Sequence, residues 1–193
     1  DNSDIQETTS EKLFATERNR VYRALTQYND FLVSYHIDDK KHLYFNDINS
    51  GELVKAVKAP AGLWAFDLRN INGALYLLGS QGSAVIYKFN EADETFTEMI
   101  KVPTASAFLS MEQSGDRSIT IAAAVNWGGI PNGKVVLKTQ DNKDWIDMTC
   151  LMANNSGVVD IEFTSDAEFV YLLQQVGSVI KLRTSVLKAY QGC

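Results

Sequence analysis

Four carboxylates, Asp67, Glu112, Asp160 and Glu162, fall in short apolar stretches far apart along the chain. Carboxylate oxygens are the natural ligands of hard cations such as calcium, and a pair of carboxyl groups can divide the acid and base roles of a hydrolysis. Either use requires a fold that carries distant segments to one place. The bland alternative is that Asp67 and Glu112 close strands in solvent. A more compact group is His36, Asp38, Asp39 and His42 in "HIDDKKH", which holds the only two histidines of the chain. Imidazole and carboxylate together are metal ligands. Alternate side chains of a strand leave from opposite faces, however, so this segment reads first as a solvated turn.

Other chemical signatures fail on context. "GGIPNGKV" (128–135) carries the glycines and lysine of a phosphate loop, but Val135 stands where a hydroxyl should be and the segment continues as a strand, leaving no helix N-terminus to cradle phosphate. Asn132-Gly133 reads instead as a hairpin turn. "GSQGS" (79–83) lacks the strand-to-helix elbow that would present a nucleophilic serine. Cys150 and Cys193 show no activating base nearby in sequence, and no catalytic residues are assigned.

The elements that must position these groups come from a repetition. "FNDINSGELVKAVKAP" (45–60) and "FNEADETFTEMIKVP" (89–103) share Phe-Asn, an acidic turn, alternation and Lys-x-Pro. Before each lie three short runs rich in aromatic and β-branched residues, broken by Asn-Asp, Asn-Gly or glycine turns, the signature of a hairpin meander. Two further units follow. Anchored on Leu43-Tyr44-Phe45, Val85-Ile86-Tyr87, Val135-Val136-Leu137 and Val179-Ile180-Lys181, the units are spaced by 42, 50 and 44 residues.

Periods in the forties with four strands each predict an all-β chain: a β-propeller of four blades of four antiparallel strands, with a β-sandwich as the alternative. The blades fall at about 20–60, 61–103, 104–151 and 157–193, in one domain (20–193) behind a flexible polar leader (1–19). "SVLKAYQ" near the C-terminus suits a short helix as well as a last strand. The four carboxylates then lie on or just after inner strands that line a central channel, where the first blade offers only Thr26 and Gln27. Trp64 and Trp145 are expected in the core between blades.

Four units of this length resemble hemopexin-type domains, and the phrasing "GALYLLGS…VIYKF" is similar to the epitempin or EAR repeats of secreted propellers. The hemopexin-type inner strand is Asp-Ala-Ala-Phe-like; its nearest counterpart here is Ala65-Phe66-Asp67. The resemblance implies a secreted or surface binding module and brings no catalytic residues.

Composition agrees with a globular domain. Hydrophobic residues make up 45% and charged residues 22%, and the net charge is −6 with basic residues scattered, which argues against a nucleic-acid backbone as partner. The apolar runs are too short for a membrane-spanning helix. Cys150, Cys193 and the sequon at Asn154 are compatible with secretion, a disulfide and a glycan. The loop that carries Asn126, Trp127, Pro131 and Asn132 is expected to anchor a protein or glycan partner. The reading is therefore a secreted, non-catalytic recognition module with no cofactor or an axial calcium-like ion at Asp67, Glu112, Asp160 and Glu162. A homodimer is also expected, because two chains could share one larger ring. A hydrolase using those carboxylates is the alternative.

Overall fold

A computed structural model describes residues 22–36, 38–80, 84–101, 108–112, 120–124, 135–138, 144–151, 158–166, 168–174 and 176–190, with only the backbone described for β9, β10 and β11 below. Within each sheet, every strand pairs, antiparallel, with its neighbours in sequence. The first sheet is β1 (Tyr22–Tyr28), β2 (Phe31–His36), β3 (Asp39–Asp47) and β4 (Leu53–Lys58). The second is β5 (Trp64–Ile71), β6 (Ala74–Ser80), β7 (Ala84–Asn90) and β8 (Thr95–Lys101). The third is β9 (Phe108–Glu112), β10 (Thr120–Ala124), β11 (Val135–Lys138) and β12 (Ile146–Asp147), and the fourth is β13 (Val158–Phe163), β14 (Phe169–Gln174) and β15 (Val179–Arg183). The expected fourth strand of the last unit is replaced by a 3-10 helix, Thr184–Tyr190.

The turns follow their residues. Asn72 (φ 47°) and Gly73 (φ 74°) both occupy the left-handed region between the paired Ile71 and Ala74, as a tight hairpin with right-twisted strands requires. In the quoted acidic turn, the Asp47 carboxylate accepts hydrogen bonds from the amides of Asn49 and Ser50 and from the Ser50 hydroxyl, closing the loop by local side-chain bonding.

The strand pairing gives the repeats a register. A bulge between Tyr22 and Ala24 in β1 is matched by one between Ala65 and Asp67 in β5, and each is followed by five cross-strand pairs and a two-residue turn. Ala24 thus corresponds to Asp67, Tyr35 to Leu78, and Leu43 to Ile86, which corrects the anchor of Leu43 on Val85. The correction is one residue, and one residue reverses the face of a strand. Phe45 and Phe89, alike in sequence, therefore project from opposite faces of their own sheets. They meet with ring centroids 5.5 Å apart in the core between the first two sheets. The fourth sheet follows the same register: its bulge lies between Val158 and Asp160, and Asp160, Leu173 and Val179 occupy the places of Asp67, Leu78 and Ile86.

The sheets stack in chain order. Val33, Tyr35, Leu43 and Phe45 pack on Leu68, Leu77, Tyr87 and Phe89 of the second sheet. The far face of that sheet, with Tyr76, Leu78 and Ile86, meets Trp145, and Ile146 and Met148 pack on Ile161, Val170, Leu172 and Leu182. Along the inner edge β1 lies beside β5, β5 beside β9 and β9 beside β13. Among the described residues β13 has no comparable packing against β1. No helix among the described residues is long and apolar enough to cross a membrane.

Candidate functional site

Two polar constellations stand out. The first lies on the inner strands. Asp67 and Arg69, two residues apart on β5, project from the same face, and the Arg69 Nε donates to Asp67 Oδ2 at 3.0 Å. The Arg69 Nη1 also reaches to 3.7 Å from Glu162 Oε2 on β13, joining the second and fourth sheets. At the bulge of each strand the aspartate accepts the following amide: Leu68 N to Asp67 Oδ1 and Ile161 N to Asp160 Oδ1, both at 2.9 Å. Burial pushes the Asp67 carboxyl above its usual range, outweighing the opposing charge and hydrogen bond of Arg69 and the hydrogen bond from the Leu68 amide.

Of the four carboxylates singled out in the sequence, Asp67 and Glu162 both engage Arg69, and Asp160 lies within electrostatic reach of both Asp67 and Arg69. Glu112 ends β9, and its side chain lies outside the described residues. The first-sheet counterpart of Asp67 is Ala24, and not Thr26 or Gln27. Sequence reading overlooked Arg69, although the Asp67-x-Arg69 spacing on a strand is itself the signal that the two share a face. Its guanidinium supplies positive charge where a cation was expected. Among the described residues no group of three or more histidine, cysteine, aspartate or glutamate side chains is arranged to hold a metal.

The second constellation is on the rim where the β2–β3 hairpin meets the connection from β4 to β5. Three contacts tie these segments: Ala59 N donates to Lys41 O at 2.8 Å, the Tyr35 hydroxyl donates to Leu63 O at 2.9 Å, and the Lys40 ammonium sits 4.0 Å above the Trp64 ring. Trp64 is 40% exposed, which corrects its expected place in the core, whereas Trp145 is half-buried against the second sheet. Trp64 opens β5, and its ring is left partly on the surface beneath Lys40.

The solvated-turn reading of "HIDDKKH" holds for Asp38, Lys40 and Lys41, which are exposed between β2 and β3 or at the start of β3, and is corrected at His36 and Asp39. His36 is buried at the end of β2, its Nε2 3.1 Å from Ser34 Oγ and its ring 4.9 Å from Tyr44. Asp39 gathers the rest, accepting the Tyr44 hydroxyl and the Lys41 amide, with His42 Nδ1 3.4 Å away. Burial works against ionisation of Asp39, but these hydrogen bonds outweigh it and hold the carboxyl below its usual range. Strand alternation alone scatters such groups; the register shift between Tyr35 and His36 is what turns Asp39 back onto the face of Tyr44. Ser34 and His36 are too enclosed to meet a substrate as nucleophile and base.

The remaining sequence candidates fall largely outside the described residues: Asn126, Trp127, Pro131, Asn132, Asn154 and Cys193 all do. Cys150 sits on a 3-10 turn, Thr149–Leu151, after β12, and no described cysteine is a free thiol.

No family model matches the chain, and no curated protein matches it. Solved structures do. The computationally designed Ika4 protein is 13% identical with a TM-score of 0.59, over 91% of this chain and 99% of its own. The β-propeller domain of Cps50 (Swd1) from Myceliophteria thermophila is 12% identical with a TM-score of 0.61, over 84% of this chain but 53% of its own. The chain has a β-propeller-like fold. It spans about half the length of the Swd1 domain. At these identities the likeness concerns architecture alone, and membership of the hemopexin or epitempin type finds no support in it.

Proposed function

We propose that this chain is a non-catalytic recognition module, its four sheets acting as four blades that hold a binding rim for a protein or glycan partner. The observation that carries the reading is Trp64: a large aromatic ring on the surface, stacked under Lys40 of the β2–β3 hairpin. A tryptophan held in one orientation offers a broad apolar face at little entropic cost, and such residues dominate binding energy at interfaces. Lys40 would supply the polar edge that fixes the direction of approach.

In this reading the inner-strand carboxylates serve Arg69 as counter-ions, and the charge they need is supplied by the protein. The chain is secreted, Cys150 is bridged to Cys193, and Asn154 carries a glycan; the absence of a free thiol among the described residues supports the bridge. The loop with Trp127 would add to the same partner surface.

The test is a glycan array and an array of displayed extracellular proteins, probed with the wild type and with Trp64→Ala. Ligands bound by the wild type and lost by the variant, at an unchanged melting temperature, support the reading. Identical binding profiles for the two proteins would overturn it.

A further inference from the structure

Lys40 rests on Trp64 and makes no ion pair among the described residues. Lys55 and Lys101 differ, for each reaches a glutamate: Lys55 to Glu94 at 2.7 Å and Lys101 to Glu98 at 3.8 Å. The attraction of an exposed ammonium to a ring face is weaker than a charge-assisted hydrogen bond to a carboxylate. Lys40 is therefore held by the weaker of the two, and an arriving anion can draw it off the indole and uncover the ring face beneath it.

The same end of the first sheet carries further positive charge. Lys41 follows Lys40, and its carbonyl accepts from the amide of Ala59, the residue after Lys58. Lys41 and Lys58 are exposed and, like Lys40, make no ion pair among the described residues. The Asp39 carboxylate is directed at the Tyr44 hydroxyl, the Lys41 amide and His42, and at none of these three ammonium groups. Asp38, exposed on the same hairpin, is its remaining acid. Acid gathers at the other end of the strands. Because neighbouring strands are antiparallel, the turns after β1, β3 and β7 lie away from Trp64, and they and their flanks carry Asp30, Asp47, Glu52, Glu91, Asp93 and Glu94. Such a separation turns the Trp64 end toward an anion before contact is made.

We infer that the ligand of the Trp64 rim is an acidic oligosaccharide, bound through a uronic acid unit; this rests on the reading of Trp64 as the partner anchor and names the partner's chemistry. A uronic acid joins in one ring the two features the rim can meet: a carboxylate, and a face of C–H groups. Its carboxylate accepts from the Lys40 ammonium, and its C–H face packs on the indole that Lys40 has left. A neutral sugar has the face without the anion. An acidic peptide side chain has the anion without the flat face. Lys41 and Lys58 stand at the same end to meet the carboxylates of further units along the chain of sugars.

The full chain is titrated calorimetrically with oligosaccharides of galacturonic, glucuronic and mannuronic acid, and with a neutral glucose oligosaccharide of the same length. At least one acidic oligosaccharide should bind and the neutral one should not, and added salt should weaken the binding. Trp64→Ala should weaken it by about 100-fold, as loss of a central aromatic anchor does. Lys40→Ala should weaken it by about tenfold, the loss of one charge-assisted contact, and Lys40→Arg should restore most of it. Asp38→Asn, which removes the opposing charge, should tighten it. Lys40 is exposed, so both of its variants should melt as the wild type does. Binding of the neutral oligosaccharide that Trp64→Ala abolishes and Lys40→Ala leaves intact would overturn the inference while keeping Trp64 as an anchor. Failure of every acidic oligosaccharide to bind would also overturn it, and the array profiles of wild type and Trp64→Ala then decide separately whether the rim binds anything else.

Discussion

The second and fourth sheets are built to one pattern and differ in what lies beside them. Both begin with a bulge and an aspartate that accepts the next amide, and both set two apolar residues behind it in matching register. In the second sheet, Leu78 and Ile86 are closed off beneath Trp145, and Asp67 is enclosed beside Arg69. In the fourth, Leu173, Val179 and Asp160 remain on the surface. The residue types are nearly the same, so the environment of each is set by whether another sheet follows.

The largest expected effect comes from truncating the covered position. Leu78→Ala should cost about 2–5 kcal/mol of stability, the range for a leucine whose removal leaves a cavity, by chemical denaturation. Leu173→Ala, at the matching place, should cost less than about 1 kcal/mol, because that side chain is already 38% exposed. Equal losses at the two positions would break the comparison.

Next is the close approach of sheet and connection in the second unit. A Cβ added to Gly79 would lie 2.2 Å from the Leu63 side chain, which is itself buried and has nowhere to retreat. Gly79→Ala should therefore cost about 1–3 kcal/mol through overpacking, read as a lower denaturation midpoint at unchanged slope. A neutral substitution would show that Leu63 is looser than its enclosure implies.

The smallest effect is in the pH dependence of stability. Asp67 is raised above its ordinary 3.8 in the folded chain. Between that ordinary value and the raised one, the folded protein holds a proton that the unfolded chain has released. The contribution to stability is complete below the ordinary value and is lost as pH rises through the raised one. Compared with Asp67→Asn, the wild type should therefore gain stability on acidification into that window. Melting curves of both proteins across the acidic range check this; parallel pH profiles would show that Arg69 cancels the effect of burial.

Much of the fold could be read directly. Asn72-Gly73 turned as its residues require, the aromatic and β-branched runs became strands, and "SVLKAY" formed the short helix held open for it. The site was harder. The repeat brings the inner-strand carboxylates together, but the place of Arg69 between Asp67 and Glu162 depends on a contact between two sheets that no short stretch of sequence contains. Trp64 was expected in the core because tryptophan is mostly apolar; whether a ring at the mouth of a strand is covered depends on how far the next sheet extends.

The sequence by itself determined the local events: strands from alternation and β-branched residues, turns from asparagine, aspartate and glycine, and a recurring unit whose period called for stacked sheets. These depend on neighbours within a few residues, whose chemistry is present in any short window. Only the tertiary structure decided which faces are inside. The slip of one residue that makes Phe45 and Phe89 partners, the return of Asp39 onto Tyr44, and the exposure of Leu25 and Val179 all depend on register and on contacts between segments far apart in the chain. A period of two leaves both faces of a strand equally available until another sheet covers one of them.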